Sequence, residues 1–179
     1  LLRQMRVNVE QIHFAQDAAR VSLLGKGYAE GKLIEFALEN SRLLAQEEGF
    51  FKCTGKIFCR NFQNIIALIQ HHKLQGLFWQ LYHLGKLWAF LDARFFYTSA
   101  AFFKENLATG YALSNDMESL ENKESKSVER ICGGLLDKRC QQGHATRPLL
   151  SGFGGGTGEQ IETIPLGELD QNFPCWFQA

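Results

Sequence analysis

Apolar residues recur at three- and four-residue steps through the first seventy positions and then bunch into short aromatic runs. That change of period constrains the fold more than any single motif does. Over residues 7–24 the stripe is Val9, Ile12, Ala15 or Gln16, Ala19 and Leu23, which predicts an amphipathic helix. Gly25 and Gly27 interrupt it, and residues 33–44 resume helical spacing through Leu33, Ile34, Ala37, Leu38 and Leu43. Residues 57–69 predict a third helix, with Ile57, Phe58, Phe62, Ile65, Ile66 and Ile69 on one stripe. The runs 77–82 and 87–91 are short and aromatic and read as strands joined by a hairpin around Gly85, with a helix as the alternative. Residues 95–111 are ambiguous, and a strand running into a helix is one reading of them. The polar stretch 115–127 is a loop or a solvated helix face. Residues 152–158, Gly-Phe-Gly-Gly-Gly-Thr-Gly, form a flexible segment, and 161–177 look extended, broken by Pro165 and Pro174. Helices first, strands next and a Gly-rich tail last favour an α+β fold, with helices packed on a small antiparallel sheet.

Composition narrows the function classes. A chain of 179 residues, 45% hydrophobic, suits one domain with a real core and excludes wholesale disorder. Its 19 basic side chains are balanced by 19 acidic ones, which argues against an electrostatic nucleic-acid binder. No apolar run reaches the roughly 18 residues that span a bilayer. Residues 1–10 lack the form of a signal peptide, and the missing initiator Met reads as a fragment. Five cysteines without a secretory signal point to the cytoplasm, where thiols stay free or bind metal. Fifteen phenylalanines suit an apolar ligand cavity as well as a dense core.

The most informative chemistry is Glu129-Arg130-Ile131-Cys132, then seven residues, then Cys140. One carboxylate and two thiolates satisfy three positions of a tetrahedral zinc if the chain turns back between them. Gly133 and Gly134 give such a turn its freedom, and Lys138 and Arg139 favour a thiolate at Cys140. On spacing alone, two partly buried free thiols are the favoured reading.

Upstream, Gly27-Tyr28-Ala29-Glu30-Gly31 recurs in part as Gly110-Tyr111-Ala112, ahead of the Glu-x-x-Cys pair. In this order the segments resemble the 4-vinyl reductase domain family, the ligand-sensing module of aromatic-responsive bacterial transcription activators. The likeness covers roughly residues 7–145 and departs from the family pattern at Ser114, at Leu136 and at Gln141-Gln142-Gly143. It implies a NO-signalling/Golgi-transport-like fold and a structural zinc on Glu129, Cys132 and Cys140, with Glu105 or Cys175 in the fourth position. It also implies a homodimer formed through the N-terminal helices and an output domain outside this chain. The small hydrophobic or aromatic ligand of such sensors is held by a His and a Trp; here the candidates are His71, His72 or His83 with Trp79 or Trp88. Read without the resemblance, the same residues are better taken as core tryptophans and histidines of a solvated turn. A lesser likeness links Cys132-Gly133-Gly134 and Pro174-Cys175-Trp176-Phe177 to the related vesicle-tethering (TRAPP) subunits.

Other motifs carry less. Residues 152–158 have no following Lys and cannot be a P-loop. Glu48-Gly49-Phe50-Phe51-Lys52-Cys53 echoes a zinc finger but no Cys pair precedes it, and Cys59 reads as a packed thiol on the helix expected over 57–69. The five histidines are scattered, and no nucleophile–base–acid set stands out. The expected organisation is a sensor-like domain over 1–147, then a Gly-rich linker and terminal strand over 148–179 whose place in the core is open. The expected function is a cytoplasmic, non-enzymatic, zinc-containing sensing domain with no direct nucleic-acid or membrane contact. A TRAPP-like adaptor and a tetrapyrrole-metabolism protein are the alternatives.

Overall fold

Side chains alternate along the central strands, and both halves of the alternation are apolar. In β3 (Leu74–Trp79), Leu77 and Trp79 oppose Phe78; in β4 (Phe95–Ser99), Phe95 and Tyr97 oppose Phe96; in β1 (Gly49–Cys53), Phe51 opposes Phe50. A sheet built this way has to be covered on both faces. The computed structural model describes residues 8–79, 91–117, 126–137, 141–142, 148–153, 158, 160–162 and 174–178. In it a five-stranded sheet runs in the order β1-β4-β3-β8-β5, where β5 is Gln141–Gln142 and β8 is Pro174–Gln178. Every pairing is antiparallel. A second antiparallel sheet joins β2 (Ile57–Cys59), β6 (Leu150–Phe153) and β7 (Gln160–Glu162).

Helices cover one face of the larger sheet. α1 (Ala18–Leu24) leads into α2 (Lys26–Asn40). α4 (Ala100–Phe102) continues through a π-helical turn, Phe103–Leu107, into α5 (Ala108–Leu113), and α6 (Val128–Asp137) lies against it. Ile34, Phe102, Phe103, Leu107, Tyr111 and Cys132 from these elements pack on Phe78, Phe96 and Phe177 of the sheet. α3 (Phe62–His72) and the second sheet cover the other face, where Ile65, Ile69, Ile57 and Leu150 meet Leu77, Trp79 and Phe95. The fold is α+β. Among the described residues, no helix is long and apolar enough to cross a membrane.

Glycines let the helical layer close. A Cβ on Gly31 would be driven into Cβ of Tyr111 on α5, and one on Gly27 would sit 2.9 Å from Ser114 Oγ. One on Gly110 would lie 2.6 Å from Cys132 Sγ. Both Gly-Tyr segments therefore meet at a single junction of α2, α5 and α6. Gly25 separates α1 from α2 with φ +91°, a value that strains any residue with a side chain. The freed N-terminus of α2 is capped from far along the chain, by Gly27 N–H donating to Asp116 Oδ2 at 2.9 Å.

Several elements differ from the periodicity. Helix is confined to 18–24 of the expected 7–24, because Asp17 caps the start at Arg20 N–H (3.1 Å) and residues 8–17 run as a strap along α2. Phe14 packs on Phe36, with ring centroids 4.9 Å apart. The Glu10 carboxylate accepts from Ser41 Oγ (2.6 Å) and from the N–H groups of Arg42 and Leu43 (3.2 Å each). Helix also fails over 57–61. Ile57–Cys59 pair with β6, Asn61 Oδ1 accepts from Leu149 N–H (2.8 Å), and α3 starts only at Phe62. Cys59 is thus a strand residue. Residues 95–113 do run from strand into helix. Strands and helices interleave along the chain instead of segregating, and Gly152 and Phe153 belong to β6. The hairpin expected around Gly85 lies outside the described residues.

Two outcomes follow from this packing. Gly31→Ala should destabilise the fold by about 2 kcal/mol, since Tyr111 Cβ is fixed to the α5 backbone and the helices must separate. Gly134→Ala on α6, whose Cβ would meet nothing within 4 Å, should instead stabilise by up to about 1 kcal/mol. Urea midpoints of the two variants would show it. Secondly, the Ser41 hydroxyl, followed by the Leu43 and Arg42 amides, holds the Glu10 carboxyl down to about 2. A carboxyl with a depressed folded pKa contributes above its ordinary value, and the contribution fades as pH falls toward 2. Glu10→Gln should therefore speed amide exchange over residues 8–17 at neutral pH, and its difference from wild type should vanish near pH 2.

Candidate functional site

A group of buried and half-buried polar side chains lies between the α2–α5–α6 junction and the sheet. Lys52 shares the parity of Phe50 on β1, so the strand carries it to the helical face. Its side chain is only 9% exposed, and Nζ lies 2.7 Å from Glu30 Oε1 of α2. The ammonium also donates to the Ala93 carbonyl and to Thr54 Oγ1 (3.3 Å), so its charge is paired and its donors are used. Tyr111, buried on α5, donates its hydroxyl to Glu30 Oε2 at 3.5 Å. Burial first, then the Glu30 carboxylate, push the Tyr111 phenol far above its ordinary value.

α6 carries the sequence-predicted zinc residues Glu129 and Cys132 one turn apart. Gly133 and Gly134 do not turn the chain; both lie within the helix. Cys132 is buried, with Sγ 3.9 Å from the Leu107 carbonyl, and burial together with Glu129 raises its thiol to about 12. The thiol is protonated near neutrality as it stands, and a cation would supply the opposite charge that favours the thiolate. Glu105 is exposed on the π-helical turn. Cys140 lies outside the described residues. Gln141, which follows it, pairs with Trp176, and Cys175 is registered opposite Phe78 on β3 and Gln142 on β5. Among the described residues, no three His, Cys, Asp or Glu side chains converge as a metal-binding group.

The ligand residues are placed apart. Trp79 ends β3, is 3% exposed, and its indole N–H is buried with no hydrogen-bond partner among the described residues. Its ring packs on Phe95 with centroids 5.6 Å apart. His72 ends α3, half-buried and edge-on to His71 at 4.6 Å. His72 precedes β3 and Trp79 closes it, so the strand separates them by about 20 Å at roughly 3.3 Å per residue. The structure does not bring these two together, and His83 and Trp88 lie outside the described residues.

Glu30 and Lys52 were not singled out from the sequence. The signal for Lys52 was a charge standing at an apolar parity position of a strand; the signal for Glu30 was its place inside the first Gly-Tyr segment. Comparison with protein-family models, with curated proteins and with solved structures finds no match.

The paired charges give a direct expectation. Lys52→Met leaves Glu30 with the Tyr111 hydroxyl alone and should cost about 2 kcal/mol. That is less than for a fully buried pair, because Glu30 is 31% exposed. Combining it with Glu30→Gln should recover part of the loss, a non-additivity readable from a double-mutant cycle.

Proposed function

We propose that this chain is a non-enzymatic, cytoplasmic sensing domain of the 4-vinyl reductase kind, binding a small aromatic molecule and holding a structural zinc. The observation that carries the ligand half is the Trp79 indole N–H, a donor buried in an apolar cluster beside Phe95 with no acceptor among the described residues. An unsatisfied buried donor costs about 1–3 kcal/mol, a cost that a ligand hydroxyl or carbonyl oxygen would remove. An indole N–H only donates, which fits a phenolic oxygen. The protonated Tyr111 and Cys132 favour binding over nucleophilic chemistry at that junction.

The zinc half rests on Glu129 and Cys132 sharing one face of α6, with Cys140 as the third donor and Cys175 or Glu105 as the fourth. A zinc there would supply a cross-link between α6 and the chain that follows it. The ordered recurrence of the two Gly-Tyr segments, packed at one junction beside Cys132, supports the family reading. Ligand binding would favour one of two arrangements through its differential affinity. A homodimer formed through the N-terminal helices and a separate output domain would read the change.

Two measurements on the purified chain test this. Metal analysis should return about one zinc per chain, falling sharply in Cys132→Ser. Phenol, titrated against tryptophan emission, should give a saturable change that Trp79→Phe abolishes without releasing the metal. Folded wild-type protein that carries no metal and ignores phenol would end the proposal.

A further inference from the structure

A groove of about 1300 Å3 opens along one end of the five-stranded sheet, between α3 and the loop that enters β1. Phe51, Tyr97, Phe62 and Ile66 line its apolar floor, and Glu47 and Glu48 stand on its rim. Among the described residues β1 is the outer strand and pairs with β4 alone, which leaves the backbone donors and acceptors of its other edge without a described strand partner. We propose that this groove takes an extended, basic segment of a partner protein, which adds to β1 as a further antiparallel strand.

Charge selects the occupant. Glu47 and Glu48 are exposed beside the free edge, and neither makes an ion pair among the described residues. The cation on β1 itself, Lys52, turns to the opposite face, where Glu30 neutralises it, so it does not repel a basic strand. Lys73, the other charge lining the groove, precedes β3, two strand spacings or about 10 Å from β1. The edge is therefore acidic where a strand would dock. Backbone pairing would supply affinity, alternate apolar side chains would lie against the floor made by the touching rings of Phe51 and Phe62 (centroids 4.6 Å apart), and basic residues would meet the rim. This surface lies at the end of β3 remote from Trp79, so it is separate from the ligand site proposed above.

The test uses the full chain and a fluorescein-labelled, N-acetylated, C-amidated hexapeptide of alternating valine and arginine. Saturable binding by polarisation is expected, with new amide protection in residues 49–53 by hydrogen exchange. Glu47→Gln with Glu48→Gln should weaken it roughly five-fold, the size of two exposed ion pairs. Glu47→Lys with Glu48→Lys should transfer preference to the glutamate counterpart of the peptide. A central proline in the peptide, which cannot donate to the ladder, should abolish binding. Failure to bind, equal binding of the glutamate or proline peptide to wild type, or indifference to both glutamate pairs of substitutions would overturn the proposal. So would protection of 49–53 that grows with protein concentration in the absence of peptide, which would assign the edge to a second copy of this chain.

Discussion

Helices approach to backbone distance only where one of them lacks a side chain, and the α2–α5–α6 junction is built on that constraint. Gly31 accepts Tyr111, Gly110 accepts the sulfur of Cys132, and Gly27 accepts Ser114. The rest of the helical layer takes its position from there. Because Tyr111 is seated against α2, its hydroxyl reaches Glu30, and Glu30 in turn meets the ammonium that β1 delivers from below. The helical layer and the sheet are thus joined by a buried polar contact as well as by aromatic packing, with the Phe102 ring tilted against Phe78 at 5.9 Å. A looser junction would leave Lys52 buried and unpaired, the costliest outcome for an ion pair of this kind.

The two faces of the sheet have different chemistry. On the helical face the buried polar groups among the described residues find partners: Lys52 is paired, Tyr111 donates, and Ser114 bonds back to the Tyr111 carbonyl at 2.8 Å. On the α3 face the core is almost wholly aromatic and aliphatic, and there the single orphaned buried donor among the described residues is the indole of Trp79. A satisfied network rigidifies, whereas an isolated donor in an apolar setting is a point of unspent affinity. That contrast, more than any motif, is what separates the scaffold half of the molecule from its candidate binding half.

Much of this architecture was legible in the residue order, and the parts that were not have physical causes. The stripes over 33–40 of α2 and 62–69 of α3 and the aromatic run of β3 depend on near neighbours, and local period reports them, whereas it missed that α2 starts at Lys26 and continues through Gly27, and it left β4 ambiguous. Residues 57–59 carry the same helical stripe as α3 but are claimed by β6, a partner some ninety residues away that no local pattern registers. The strap over 8–17 has helical spacing too, yet Glu10 and Phe14 gain more from Ser41 and Phe36 than a further helical turn would provide. In α6 the stripe Val128, Cys132, Leu136 was present in the sequence, but Gly133 and Gly134 suggested a turn; both lie within the helix, where the periodicity of the stripe prevails over the two glycines. Of the candidate site, Trp79 and Cys132 were visible as buried types, and the Glu30–Lys52 contact was not, because it joins a helix and a strand that only the fold makes adjacent.

The larger sheet has one further property. Its fourth strand in spatial order, β8, is the last described strand in the chain, and it lies between β3 and β5 with neighbours on both sides. A ribosome releases β3 nearly a hundred residues before it releases β8. Until then an inner edge bearing Leu77, Phe78 and Trp79 has no permanent neighbour, and it can be sealed only after synthesis of residues 174–178. The nascent chain therefore carries this apolar strand edge unpaired by β8 while nearly a hundred further residues are made, an interval in which mispairing has to be avoided.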